Sequence, residues 1–318
     1  MEYHIAVDIG GTQIRAASYA QDSLTPYKIN RVATQAPDTT ILDHLEDAIR
    51  SVWPEQEKVA GIGIAIAGPV DPFRGIVLTA PNIPGWVNLP LKAHLEKDFD
   101  IPVSTGNDAN LAALGEWKFG AGKNHHNLIY MTISTGIGGG IIIDDRLLLG
   151  EDGLAAEIGH MIIDPNGPIC GCGGYGHLEA MASGTAIARW TEQELSKGCQ
   201  SSLKSKIPLT AKDIGLAARQ GDELAINAFN RAGTYIGIAI VNFLHIFNPS
   251  MIILGGGVTQ SGELLINPIR AYLQNHVMSP KYIEKLSITR SVLGDESGLM
   301  GALALVRQSS PAISNINT

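Results

Sequence analysis

His160, Cys170, Cys172 and His177 place four side chains with metal-binding chemistry in one short stretch of this chain. Zinc favours thiolate sulfur and imidazole nitrogen in a tetrahedron, and these four supply a complete set without a distant residue. Two carboxylates, Glu157 and Glu179, flank them. The Cys-x-Cys spacing is tighter than that of the commonest zinc fingers. A second reading therefore stays open, in which both cysteines are free buried thiols and His177 caps a helix.

Two glycine-rich segments offer another kind of chemistry. Asp8-Ile9-Gly10-Gly11-Thr12 follows the apolar run Ile5-Ala6-Val7. Its glycines let backbone N–H groups approach an anion closely, Thr12 offers a hydroxyl, and Asp8 can face a metal ion. The segment is neither a Walker A loop nor a dinucleotide fingerprint, because the turn leads into a second strand and lacks the lysine or the third spaced glycine. A hairpin whose glycines serve only close packing explains it equally well in isolation. Ser134-Thr135-Gly136-Ile137-Gly138-Gly139-Gly140 repeats the plan, and two such loops facing each other could clamp the β- and γ-phosphates of a nucleotide. Ser104-Thr-Gly-Asn107-Asp108 sets a carboxylate where a strand gives way to a helix. Asp108 is there either a general base or a helix N-cap, a common position for Asp.

Glu157-Ile-Gly-His160, followed by Cys170-Gly-Cys172-Gly-Gly-Tyr-Gly-His177-Leu-Glu179, resembles the ROK family (repressors, open reading frames and kinases). Its kinase members carry Glu-x-Gly-His and then Cys-x-Cys-Gly-x-x-Gly-Cys-x-Glu. The chain departs at His177, where the family has its third cysteine. Imidazole remains a good zinc ligand that reaches further than a thiolate.

The resemblance extends along essentially the whole chain and implies roles residue by residue. The glycine loops resemble the two phosphate segments of ROK kinases, which puts Asp8, Gly10, Gly11, Thr12, Thr135, Gly136, Gly138 and Gly139 at a nucleotide. Gly255 and Gly256, in the run Gly255-Gly-Gly257, would approach its adenosine. Asn107-Asp108-Ala109-Asn110 matches the context of the family's catalytic Asp, so Asp108 would take the proton from a primary sugar hydroxyl attacking the γ-phosphoryl group, with Mg²⁺ and the loop amides on the phosphates. Pro81-Asn82-Ile83-Pro84-Gly85-Trp86 resembles the sugar-binding segment and Ala67-Gly68-Pro69 its neighbouring turn. The implied sugar contacts are Gly68, Asn82, Asn107, Asp108, Glu157, His160 and Glu179, with His160 using one nitrogen for zinc and the other for a hydroxyl. A proline-bounded loop anchored by Trp86, and glutamates that merely solvate the surface, are the plainer alternatives.

The fold implied is α/β, with two actin-like (ribonuclease H-like) lobes and a cleft between them: residues 1–118 plus 299–318 in the small lobe, 119–298 in the large one. The activity implied is ATP-dependent phosphorylation of the 6-hydroxyl of glucose, with Mg²⁺ and a structural Zn²⁺. An N-acetylhexosamine kinase (N-acetylglucosamine or N-acetylmannosamine) or a fructose kinase would use the same framework. A sensor without catalysis, as in the repressor branch, is the reading from another class, although no helix-turn-helix precedes Met1. A homodimer or higher homo-oligomer is expected, with no nucleic-acid or membrane partner.

The elements that must position these residues are legible in outline. The first loop lies between two strands ending near Tyr19, and the second lies in the same arrangement from Leu128 to Asp144. One unit thus occurs twice. Helical patterns run over about 42–53, 109–119, 223–247 and 298–306, and buried strands over Gly61–Ala67 and Met251–Leu254. The chain has 318 residues, 45% of them hydrophobic and 17% charged, enough to fill two sizeable cores. A formal charge of −8 without clustered Lys and Arg argues against a nucleic-acid surface. Three cysteines, two in the metal cluster and Cys199 without a partner, argue for a reducing cytoplasm rather than a disulfide framework. The N-terminus lacks the basic start and apolar core of a signal peptide. The apolar pattern over about 236–247 reads as a core helix too short to span a bilayer. His125 and His126 fall in a polar stretch and read as a solvated loop. Ser309–Thr318 is polar and expected to fray.

Overall fold

The computed structural model describes residues 1–35, 39–206 and 208–309. The first half opens with β1 (Glu2–Ile9), β2 (Gln13–Ala20) and β3 (Lys28–Ala33). It continues through α1 (Ile41–Ser51), β4 (Lys58–Ile66), a small sheet of β5 (Val70–Asp71), β6 (Ile76–Thr79) and β7 (Val87–Leu89), then α2 (Leu91–Phe99), β8 (Val103–Asn107) and α3 (Asp108–Phe119). The second half has β9 (Leu128–Ile133), β10 (Ile137–Ile143), β11 (Arg146–Leu147), α4 (Leu178–Ala182), α5 (Gly184–Ser196), α6 (Ala211–Arg219) and α7 (Glu223–Phe247). β12 (Met251–Gly255), α8 (Glu263–His276), α9 (Lys281–Glu284) and β13 (Ser287–Arg290) complete it, and α10 (Ser297–Ser309) returns to the first half. Of the tail expected to fray, Ser309 ends α10, and 310–318, with that part of the small-lobe assignment, lie outside the described residues.

The repeat read from the hairpins is a repeat of whole sheets. The first runs β3-β2-β1-β4-β8 and the second β11-β10-β9-β12-β13. In each, an antiparallel hairpin is extended on one side by two parallel strands. The residue patterns explain the order. β12, Met-Ile-Ile-Leu-Gly, is buried at every position and lies inside its sheet. β3 alternates half-buried and exposed residues and takes an edge, as a strand with one covered face should.

Two cores flank the first sheet. One joins Ile5, Val7, Ile62 and Ile64 to α1 and α2 through Leu45, Ile49, Leu91 and Leu95. The other joins Ala6, Tyr19 and Ala65 to Leu111 and Leu114 of α3 and Leu299 and Leu303 of α10. The opposite face of α3, through Ala112 and Ala113, packs on Leu128, Tyr130 and Ile253 of the second sheet. α3 is therefore buried on all sides from Ala109 to Glu116, wedged between both sheets with Asp108 at its start. Its crossing with α10 is close: a Cβ at Gly301 would lie 1.8 Å from the Leu111 carbonyl oxygen. Only a glycine fits there.

One expectation needs correction. The apolar helix continues well before Ile236, and α7, at 25 residues, is long and apolar enough to cross a membrane by length and composition. The helix itself stands where the pattern over 223–247 put it; only the limit set on its apolar length was too short. Ala225, Phe229, Ala232, Ile236, Ile240 and Leu244 are buried in the second sheet's core, against α4, α5, α6 and α8. It is a core helix of this molecule.

Candidate active site

Asp8 stands at the end of β1 opposite Arg15 on β2, and the two form an ion pair. Arg15 also reaches Glu296 at 3.6 Å, and Arg31 meets the same Glu296 oxygen at 2.9 Å. Burial raises the Asp8 pKa above the usual carboxylate value, and the Arg15 guanidinium opposes this. The turn that follows is tied by Gly10 N–H to the Gln13 carbonyl and Thr34 Oγ1–H to the Gly10 carbonyl, at 3.0 and 2.6 Å. Thr12 is exposed at its tip. Gly11 lies against Asn82, in the segment expected to bind sugar, where a Cβ would come within 2.6 Å of the Asn82 Cβ. Neighbouring Ile83 and Trp86 are buried and anchor that loop, leaving Asn82 exposed.

Asp108 is not the helix cap. Asn107 holds that position, its Oδ1 accepting from Ala109 N–H and Asn110 N–H at 3.0 Å each. Its Nδ2 donates to the Gly68 carbonyl and to Asp108 Oδ1, both at 3.2 Å, so Gly68, Asn107 and Asp108 form one cluster. Asp108 is the first residue inside the helix and accepts from Ala109 N–H at 2.8 Å. Burial, reinforced by the negative charges of Asp8 and Glu157, pushes its pKa up to about 7 against the pull of that N–H. A carboxylate with this pKa is suited to accept a proton near neutrality.

The second glycine turn, 134–136, is fastened to the start of α5: Gly184 N–H donates to the Ser134 carbonyl and Thr185 Oγ1–H to the Thr135 carbonyl, both at 2.8 Å. Gly138 and Gly139 fall inside β10. There they make room for Ala109 of α3 and for Ile158, whose Cδ1 would lie 2.2 Å from a Cβ on Gly139. Glu179 reaches this loop from α4, its Oε2 accepting from Ile137 N–H at 3.0 Å. Its other oxygen accepts from Cys170 Sγ at 3.5 Å. Glu179 is thus not a solvated surface glutamate, whereas Glu157 is exposed.

The four metal-competent residues converge. The ligand atoms of His160, Cys170, Cys172 and His177 all lie within 4.8 Å of one another, with Cys170 Sγ 3.8 Å from His160 Nδ1 and Cys172 Sγ 3.2 Å from His177 Nδ1. The edge between sulfur and nitrogen in a tetrahedral zinc site is about 3.5 Å, so the donor set and spacing fit zinc. Both cysteines are free thiols, and burial pushes Cys170 up to about 11. Hydrogen bonds from Cys170 N–H to Gly174 and Ile163 N–H to Gly176 carbonyls, at 2.7 and 2.8 Å, fold the loop back on itself. His177 directly precedes α4 without a side-chain cap bond, which removes the capping alternative.

A cavity of about 750 Å³ opens beside Thr135. Thr185, Lys212, Arg219, Val258 and Gln260 line it, a volume in the range of small-molecule sites. Of the triple glycine run only Gly257 reaches this lining. Gly255 instead abuts the Tyr130 hydroxyl, and Gly256, at φ 83°, lies against the Ile133 backbone.

The ROK family model matches residues 4–309. The chain belongs to the ROK family. It is 36% identical over 315 residues to a glucokinase of Thermotoga maritima, with 96% of this chain and 97% of that one aligned. A crystal structure of a ROK glucokinase from Streptomyces griseus, in complex with glucose and AMPPNP, superposes with a TM-score of 0.80 at 38% identity, covering 96% of this chain and 99% of that one. The chain is also 33% identical over 308 residues to the xylose repressor of Bacillus spizizenii, covering 96% of this chain and 77% of the repressor. These neighbours and the paired mixed sheets give this ROK protein an actin-like sugar-kinase fold.

Sequence reasoning missed the cavity walls of this ROK chain. Lys212 and Arg219 lie on α6, whose charged positions look like those of any surface helix, and Gln260 lies in a short helical turn after the glycine run. His125 and His126 bond to Ser250 and Asp145 at 2.8 and 2.7 Å and belong to no metal-competent group among the described residues. A second such group, Glu46, His94 and Asp98, was not anticipated. Its members come from α1 and α2, and no motif joins them.

Proposed function

We propose that this chain is an ATP-dependent glucokinase in which Asp108 is the general base. The observation that carries the assignment of the base is the division of labour at the start of α3: Asn107 caps the helix, leaving the Asp108 carboxylate for chemistry. The glucokinase relatives and the structural neighbour with glucose and AMPPNP support the substrate and the donor.

In this reading the glucose 6-hydroxyl sits against Asp108, which takes its proton as the oxygen attacks the γ-phosphoryl group. Asn82, Asn107, Glu157, His160 and Glu179 hold the other hydroxyls, and carboxylates suit this because each can accept from two of them. The turn amides around Gly10–Thr12 and Thr135–Gly136 steady the phosphates, and the cavity beside Thr135 and Gly257 takes the adenosine. Mg²⁺ arriving with the nucleotide would neutralise phosphate charge, and Asp8 is the residue that would face it. Zinc held by His160, Cys170, Cys172 and His177 would be structural, fixing the loop that carries the Glu179 contact. Residues 1–118 with 299–318 would form one lobe and 119–298 the other, with the substrates in the cleft between them.

The test is ADP release coupled to NADH oxidation over a panel of glucose, fructose, N-acetylglucosamine and N-acetylmannosamine. Glucose should turn over fastest. Preference for an acetamido sugar or fructose would move the assignment to that kinase, and sugar binding without ADP release would make the chain a sensor, the reading that its likeness to the xylose repressor favours.

A further inference from the structure

The chain passes between the two sheets twice: outward through α3 and the segment that leads to β9, and back through the segment from β13 to α10. Both passages meet at one side chain, Glu116, eight residues beyond Asp108 on α3 and fully buried. Its Oε2 accepts from Ala121 N–H at 2.8 Å, on the outward passage. Its Oε1 accepts from Leu293 N–H at 2.9 Å and from the Ser291 hydroxyl, on the return passage, with Ser297 Oγ 3.4 Å away.

The return passage is itself braced. Ser291 N–H donates to the Leu254 carbonyl at 2.9 Å, at the end of β12 in the second sheet. Gly294 N–H donates to Ser291 Oγ at 2.9 Å, and Ser297 Oγ–H to the Gly294 carbonyl at 2.7 Å, where α10 begins. All the donors to Glu116 are neutral. A buried carboxyl without a cation is costly unless its hydrogen bonds are complete, and here they come from both connections at once.

We infer that Glu116 is a positioning residue for phosphoryl transfer, the fixed point about which the two halves move and through which α3 holds Asp108 in register with the second glycine loop. The inference rests on the kinase reading above. Eight helical residues place Glu116 about 12 Å from Asp108, so it touches no substrate. It acts through the helix. Motion of the halves about this point leaves the hydrogen bonds to Glu116 intact while the distance between the two glycine loops changes.

Glu116→Gln tests this. The amide presents an NH₂ where one oxygen was, so a donor must face either Ala121 N–H or the Ser291 and Leu293 donors, and one passage comes loose. With active sites counted by calorimetric titration of glucose, kcat per site should fall on the order of ten- to a hundred-fold, the cost of a small misplacement of reacting groups. The Kd for glucose without nucleotide should stay within about three-fold, and any tightening of AMPPNP binding by glucose should weaken. The double variant Ser291→Ala with Ser297→Ala loosens only the return passage and should shift the same quantities in the same direction by less. It decides the matter if Glu116→Gln does not fold.

A purely structural role predicts a lower melting temperature with unchanged kcat per site and unchanged coupling between glucose and AMPPNP, and that result in either variant overturns the inference. Wild-type protein that binds glucose but releases no ADP overturns the kinase reading instead, so the two failures are told apart.

Discussion

A carboxylate that must take a proton from an alcohol works best with a pKa near the working pH. Asp108 reaches about 7 because burial and the charges of Asp8 and Glu157 disfavour its ionised form. kcat/KM for glucose should therefore rise with pH through about 7 and level off above it, since the base must be unprotonated, and a pH–rate profile of the purified enzyme checks this. Asp108→Asn should lower turnover on the order of a thousand-fold or more while glucose binding by calorimetry persists. The same pKa bears on stability with the opposite sign. Between about 4, the unfolded value, and about 7 the folded state holds the extra proton, so this group's contribution to stability is lost as pH rises through that window. Asp108→Asn should thus melt no lower than wild type at pH 8 while losing its activity. A helix cap, by contrast, would leave activity intact, because Asn and Asp cap alike.

Among the elements, the crossing of α3 and α10 leaves least room for change. Gly301→Ala puts a methyl into the Leu111 carbonyl and should destabilise by at least about 1–3 kcal/mol, the usual cost of overpacking, read as a lower denaturant midpoint with an unchanged slope. The long elements were legible because their periodicity is strong. α7 matches the expected Glu223–Phe247, α3 begins one residue before the expected Ala109, and both hairpins stand where their glycines punctuate apolar runs. β13, Ser-Ile-Thr-Arg, is half exposed along its length, so its pairing with β12 is set by tertiary position and left no pattern to read. The four converging metal-competent side chains could be read because they are close in the chain. Glu116 could not, because nothing local distinguishes a glutamate on a helix that meets two distant connections from one that faces water. The cavity walls were hidden for the same reason: they come from α5, α6 and the turn after β12.

At the scale of the whole molecule, two reversible changes are predicted. Elemental analysis of unchelated protein should find one zinc per chain, and Cys172→Ser should lower both melting temperature and glucose affinity, since the loop then no longer fixes Glu179. His177→Cys should keep the metal, thiolate and imidazole being interchangeable ligands in a tetrahedral site. Glucose at saturation should compact the molecule in small-angle scattering as the halves close on the substrate and exclude water from the γ-phosphate. An unchanged profile would rule closure out. The return of α10 to the first sheet carries a further consequence, for synthesis on the ribosome. The second sheet is drawn from one uninterrupted stretch, β9 to β13, and can assemble as soon as that stretch has emerged. The first sheet, although made earlier, has Leu111 and Leu114 of α3 as only partial cover for Ala6, Tyr19 and Ala65 until Leu299 and Leu303 arrive to complete the packing. The half of the protein translated first is thus the half completed last, and the nascent chain carries an unfinished apolar face through most of its elongation, the interval in which chaperones would have most to shield.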